Sequence, residues 1–132
     1  MKIERFEDLL AWQEARILAR EVYAMGTRSP LNRDFGLRDQ LQRAAVSVMS
    51  NTAEGFERTG RQEKHQFMNI ARASCAEVKS LLYLCLDNQY LSSSELANLH
   101  LRCTKISRLL SGLIRTVSNR STTKNPDSDS EY

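Results

Sequence analysis

The sequence contains little proline, glycine or cysteine, and these shortages limit the structures it can form. Its 132 residues include two prolines, five glycines and three cysteines. Neither Pro30 nor Pro126 interrupts a long periodic segment, so helical patterns run unbroken between the turns. Cys75, Cys85 and Cys103 lie far apart among apolar positions and match no metal or disulfide spacing. They predict free, buried thiols in a reducing, cytoplasmic setting.

Long apolar runs and catalytic motifs are also absent. No segment approaches the roughly 18 apolar residues of a membrane span, and the first ten residues, MKIERFEDLL, lack the apolar core of a signal peptide. The sequence has neither a glycine-rich phosphate loop nor the strained turn that carries a hydrolase nucleophile. We therefore expect a protein without membrane contact that is not an enzyme, with no catalytic residues and no small-molecule substrate.

Histidine is scarce, and this bears on metal binding. Di-iron sites in helical bundles need a Glu-x-x-His motif on facing helices. The two histidines are His65 and His100; Glu63 lies two residues before the first, and Glu95 five before the second. Neither pair shares a suitable helical face. We predict no metal site and no cofactor.

What is present is typical of one globular domain with a polar end. Hydrophobic residues make up 41% and charged residues 27% of the chain. Residues 1–118 are periodic and predict the folded domain. Residues 119–132 have no periodicity and almost no apolar side chain, which predicts a disordered tail. The net charge of +3 permits contact with nucleic acid without requiring it.

Apolar residues recur every three or four positions and predict four helices. We expect them over about residues 7–27, 33–56 and 60–88, with the fourth ending near 118. Asn32 is the expected N-cap of the second helix, and capping boxes starting at Thr59 and Ser92 open the third and fourth. The cleanest periodicity is in the fourth: Leu96, Leu99, Cys103, Ile106, Leu110, Leu113 and Val117.

The connections between these helices are short, so neighbours in sequence should be antiparallel. The predicted fold class is all-α, an up-down antiparallel four-helix bundle. Helices one and three are apolar over more than one face, which a single bundle would leave partly uncovered. We therefore expect a homo-oligomer.

The stretch from Gln40 to Arg58 combines small residues with a polar line at helical spacing. Folding helices two and three about the 57–60 turn brings Arg43 beside Glu77 and Glu54 beside His65. This register predicts a structural polar network between the helices, formed by Arg43, Ser47, Asn51, Glu54, Ser74 and Glu77. The alternative is a solvated polar face beside a core face.

Basic residues are concentrated on two segments. The candidate nucleic-acid contacts are Arg58, Arg61, Lys64, Arg102, Lys105, Arg108 and Arg115. Such clusters can neutralise phosphates, and binding of that kind weakens steeply with salt. The alternative is a set of solvated side chains on helix exteriors. No RNA-binding signature with interleaved aromatic residues accompanies them.

The central stretch resembles the signature of the four helix bundle protein family, which includes proteins encoded in intervening sequences of bacterial 23S ribosomal RNA genes. The pattern is carried by Gln40, Arg43-Ala44-Ala45, Ser47, Asn51-Thr52-Ala53-Glu54-Gly55 and Arg58. The resemblance extends from Phe6, Leu9 and Trp12-Gln13 to Ser74 and Glu77, and covers about residues 6–115. Thr52 and Ala73 depart mildly from the family pattern.

The resemblance implies a bundle that assembles as a cyclic homopentamer and has no established enzymatic activity. A distantly similar pentamer, the accessory variability determinant of diversity-generating retroelements, binds nucleic acid and a reverse transcriptase. The resulting expectation is an oligomeric binding or scaffold protein associated with RNA or ribosomal RNA. The alternative is a protein–protein adaptor with no nucleic-acid role. A third interpretation, a small enzyme, would need a pocket in which polar groups converge.

Overall fold

Four helices form the fold. The computed structural model of the chain describes residues 2–123, with side chains described through residue 119. The helices are α1 (Leu10–Gly26), α2 (Phe35–Glu57), α3 (Arg61–Asp87) and α4 (Ser93–Thr123), and short 3-10 turns at Phe6–Asp8 and Leu31–Arg33 precede the first two. The described residues contain no strand. The predicted all-α, four-helix class is therefore confirmed.

The helices close into a ring of four neighbours. Each helix packs on the next one in sequence, and α1 closes the ring against α4. The structure continues α4 to Thr123, past the end predicted near residue 118, so residues 119–123 of the predicted disordered tail are helical. The rest of that predicted tail, residues 124–132, lies outside the described residues. Over residues 2–123, no helix has the length and apolar content that a membrane span requires.

The predicted apolar stripes point into one shared core. On α4 the buried members are Leu99, Cys103, Ile106, Leu110 and Val117, and on α1 they are Ala11, Ala15, Leu18, Val22 and Met25. Full burial of each leucine or isoleucine contributes about 2 kcal/mol relative to exposure. All three cysteines are free and buried, as their apolar positions predicted.

Helices α2 and α3 approach each other closely because the residues between them are small. Gly55 is buried against α3, and Ala44 and Ala45 are also buried on α2. A Cβ atom added to Gly55 would lie 3.2 Å from the Met68 Cγ atom and 3.3 Å from the Phe67 Cβ atom. These contacts are tighter than ordinary van der Waals packing, so a larger residue at position 55 would require the Met68 and Phe67 side chains to shift by a few tenths of an ångström.

A capping box opens α4, as predicted. The Glu95 backbone N–H donates to the Ser92 hydroxyl at 3.1 Å, and the Ser92 N–H donates to the Glu95 carboxylate at 3.0 Å. This second bond, with the Arg28 guanidinium 2.7 Å from the same carboxylate, lowers the pKa of Glu95. Two amides that the helix leaves without a partner are thus satisfied.

The other two predicted caps are wrong. Asp34 caps α2 through its side chain, while Asn32 lies within the preceding 3-10 turn. Asp34 also accepts a hydrogen bond from the Tyr90 hydroxyl at 2.8 Å, which ties the α3–α4 connection to the start of α2. At α3 the N-cap is Gly60, so Thr59 lies one residue too early to form the predicted box.

Replacement of Ser92 by alanine should destabilise the fold through the start of α4. Loss of an N-cap hydroxyl lowers the free energy of unfolding by about 1 kcal/mol. Urea denaturation at matched protein concentration measures this. Ser93→Ala is the control, because Ser93 is also exposed and lies just inside the helix. Equal denaturation midpoints for the two variants would contradict the cap assignment.

Candidate nucleic-acid interface

A basic groove runs between α3 and α4 on the outside of the bundle. Its volume is about 590 Å³, and its lining includes four cationic side chains and no carboxylate: Arg72, Cys75, Ala76, Lys79, Thr104, Ser107, Arg108, Ser111 and Arg115. Arg108 and Arg115 were predicted as nucleic-acid contacts. Arg72 and Lys79 were not among the predicted contacts, although the two pairs share a spacing of seven residues that keeps each on one helical face.

Two hydrogen bonds across the groove define how α3 and α4 are aligned along its length. The Arg72 Nη1 atom donates to the Ser111 hydroxyl at 3.1 Å, and the Lys79 Nζ atom donates to the Thr104 hydroxyl at 3.2 Å. In this antiparallel register the cations alternate between the helices in the order Arg115, Arg72, Arg108, Lys79. At 1.5 Å rise per residue, successive cations are separated by about 5–6 Å along the groove.

The four groove cations are left without an acidic partner by the side chains that the structure describes. No ion pair involves any of them in the part of the chain that the structure describes. Arg72, Arg108 and Arg115 are exposed, and Lys79 is half-buried against a neutral hydroxyl. Like charges placed along one groove raise the local concentration of anions and can hold a polyanion along its length.

Other predicted contacts on α4 have a structural role instead. The Arg102 guanidinium lies 2.7 Å from the Glu14 carboxylate and 2.6 Å from that of Glu21, both on α1. Lys105 lies 3.7 Å from the second oxygen of Glu14, whose side chain is only 12% exposed. These cations compensate a buried carboxylate between α1 and α4, so their charge is already used within the fold.

The predicted contacts around the α2–α3 turn are similarly engaged. Arg58 pairs with Glu54 at 2.9 Å and lies over the Phe67 ring, with its guanidinium carbon 4.8 Å from the centroid. Lys64 is 8% exposed, and its ammonium donates to the Phe56 carbonyl at 2.9 Å. A cation in this position caps the C-terminus of α2. Arg61 is exposed in the first turn of α3.

The structure brings together part of the predicted polar network. The Ser47 and Ser74 hydroxyls are 2.7 Å apart, and the Asn51 amide nitrogen donates to the Ser47 hydroxyl and carbonyl, each at 2.9 Å. Arg43 and Glu77 lie one helical turn further along, exposed and outside this cluster. Glu54, which pairs with Arg58, does not reach the cluster either.

The three cysteine thiols are poorly suited to act as nucleophiles. Burial raises the pKa of Cys75 and of Cys103 to about 12, and that of Cys85 to about 11. The thiols therefore stay protonated, whereas a nucleophile needs the thiolate. His65 and His100 bond to a serine hydroxyl and a backbone carbonyl. No cluster of three or more potential metal ligands occurs within residues 2–123.

Replacement of Arg102 by methionine should lower the free energy of unfolding by about 2 kcal/mol, because Glu14 would lose its main partner while remaining largely buried. The matched control is Arg108→Met on the same helix, where an exposed and unpaired side chain is replaced and the change should stay within about 0.5 kcal/mol. Thermal and urea denaturation measure both. Equal losses of unfolding free energy in the two variants would contradict the conclusion that Arg102 stabilises the fold while Arg108 does not.

Comparisons with known proteins place the chain in a family. A search of curated proteins found no match. The fold is similar to that of a protein of unknown function from the S23 ribosomal protein family of Bacteroides thetaiotaomicron VPI-5482. The TM-score is 0.75 at 19% identity, over 81% of this chain and 96% of that one. The family model for the 23S rRNA-intervening sequence protein matches residues 7–112. The chain therefore belongs to the 23S rRNA-intervening sequence protein family.

Proposed function

We propose that the chain is a non-enzymatic, cytoplasmic, homo-oligomeric scaffold that binds RNA through the phosphate backbone. The observation that carries the proposal is the α3–α4 groove, which is lined by Arg72, Lys79, Arg108 and Arg115. None of these four side chains forms an ion pair with another described residue. The family description names the 23S rRNA intervening sequence, which makes ribosomal RNA the first RNA to test as a ligand. A scaffold of this kind needs no catalytic group, cofactor or membrane contact.

The groove is suited to backbone contacts rather than to base recognition. Its lining has no aromatic side chain on which a base could stack. The arginines can form bidentate hydrogen bonds with phosphate oxygens, and the Ser107 hydroxyl can add a neutral donor. RNA bound here should be held with little preference for sequence, and the affinity should fall steeply as salt rises.

The self-association in this proposal is supported by opposite charges left unpaired on neighbouring helices. Arg43 on α2 and Glu77 on α3 are exposed and make no ion pair among the described residues. Ile70 and Leu84, on the same face of α3 as Glu77, are 39% and 47% exposed. Arg43 of one copy can pair with Glu77 of the next, and repetition of this contact can close a ring such as a pentamer.

Reversal of one groove charge should weaken RNA binding. Arg108→Glu and Arg115→Glu should each reduce affinity for RNA of any sequence, because each removes a phosphate contact and introduces repulsion. Each should also lower the slope of log affinity against log salt by about one. Fluorescence anisotropy with labelled RNA over a salt series measures both quantities.

The matched control is Arg33→Glu, which makes the same charge change at an exposed position before α2. Equal binding by Arg108→Glu, Arg115→Glu and Arg33→Glu would overturn the groove assignment. Wild-type protein that retains no RNA at low salt would overturn the RNA proposal and favour the protein–protein adaptor.

A charge swap tests the self-association surface. The wild type should elute as a species near five times 15.1 kDa by light scattering on a sizing column. Arg43→Glu and Glu77→Arg should each dissociate it, because each places like charges across the interface. The double variant should restore the assembly, since the pair is re-formed with reversed polarity. Assembly that survives both single changes would exclude this surface.

A further inference from the structure

A second groove lies on the outer side of α1, where the segment before the helix folds along it. Its volume is about 570 Å³, and its lining is Arg5, Glu7, Trp12, Gln13, Arg16, Ile17 and Arg20. Trp12, Arg16 and Arg20 are four residues apart, so they form a line along one side of the helix. This α1 groove shares no residue with the α3–α4 groove.

Local contacts hold the indole of Trp12 in place. The Phe6 ring meets it edge-on, with the centroids 5.1 Å apart and the ring planes at 66°. The Gln13 side-chain amide donates to the Glu7 carbonyl at 2.9 Å and fastens the preceding segment to the helix. Trp12 remains partly exposed. A fixed, partly exposed indole is a preorganised stacking surface.

Three arginine side chains line the groove with this indole, and one of them lies over its ring. The Arg16 guanidinium carbon lies 5.7 Å from the Trp12 ring centroid. Arg5 pairs with Glu7 at 2.9 Å, which neutralises the one carboxylate in the lining. Arg20 is exposed and has no ion pair in the described part of the chain. The α1 groove therefore combines a π surface with two cations, Arg16 and Arg20, that form no ion pair with another described residue.

We infer that the α1 groove binds a nucleotide of single-stranded RNA, with the base stacked against Trp12 and Arg16 and the phosphate on Arg20. Unpaired bases stack on aromatic rings and on guanidinium planes, and every base offers such a face. The groove volume lies in the range of small-molecule pockets. The inference rests on the RNA-binding function proposed above and adds the preference for single strands that the α3–α4 groove lacks.

An Arg–Trp contact alone would need no ligand, because such pairs stabilise many helix surfaces. Stabilisation of the helix surface does not explain two further features. One is the groove beside the Arg16–Trp12 pair. The other is Arg20, one turn beyond Arg16, which has no ion pair among the described residues. In duplex RNA the faces of the bases are covered by the neighbouring base pairs, so no base can stack on the indole. Duplex RNA should therefore bind only through the α3–α4 groove.

Trp12 is the only tryptophan, so its fluorescence reports on this groove without a label. Titration with a short oligoadenylate should quench the emission to a saturable limit. Arg20→Met and Arg16→Met should each raise the midpoint of the titration about tenfold. Arg33→Met, which removes an exposed arginine elsewhere, should leave it unchanged. An emission that does not respond to oligoadenylate, or equal shifts in all three variants, would overturn the inference.

The double variant Arg108→Glu/Arg115→Glu separates this inference from the α3–α4 proposal. It should lose affinity for duplex RNA while adenosine monophosphate, at high concentration, still quenches Trp12. Loss of quenching by the mononucleotide in this variant alone would show that the α1 groove is not an independent site. Trp12→Leu should lower the affinity for labelled oligoadenylate about tenfold and leave the affinity for duplex RNA unchanged. Circular dichroism verifies that the variant is folded. Equal losses of affinity for both ligands would contradict base stacking.

Discussion

The close packing of α2 against α3 determines where the remaining parts of the structure lie. Gly55 allows the helices to approach, Lys64 caps the C-terminus of α2 from α3, and the Ser47 and Ser74 hydroxyls meet at 2.7 Å. These contacts fix both the register and the rotation of α3. Once α3 is turned so that its apolar side faces the core, its Arg72–Lys79 edge must meet α4. The α3–α4 groove is thus a consequence of a contact on the other side of the same helix.

The distribution of carboxylates explains why that groove is basic although the chain carries a net charge of only +3. Glu14 and Glu21 face α4 from α1 and neutralise Arg102 and Lys105. No corresponding carboxylate faces the groove from α3. The charges are therefore segregated: one side of α4 is compensated by α1, and the other presents cations to solvent. A field of this kind depends on arrangement rather than on net charge.

Periodicity was sufficient to predict the four helices, their order and the apolar stripes, because burial imposes a repeat that is local in sequence. Periodicity could not distinguish the cations that form ion pairs within the fold from those that face solvent. Arg102 and Arg108 are six residues apart, about a third of a turn around α4, and only the identity of the neighbouring helix decides which one meets a carboxylate. The sequence predicted Lys64 to be a surface cation, because the backbone carbonyl that it contacts lies on another helix and cannot be identified from the local sequence. Likewise Asn32 and Asp34 are both good N-caps, and the 3-10 turn before α2 decides between them.

The two grooves would act together on one ligand class by different physical means. Four phosphate contacts in the α3–α4 groove correspond to a salt slope of about −3 for single-stranded RNA, which is a modest electrostatic contribution. In a ring, an RNA strand that crosses neighbouring subunits would meet the same groove repeatedly, and each further contact would be intramolecular. Stacking at Trp12 is far less sensitive to salt, so its share of the affinity should grow as the salt concentration rises. Single-stranded RNA should therefore become increasingly favoured over duplex RNA under conditions that weaken backbone binding.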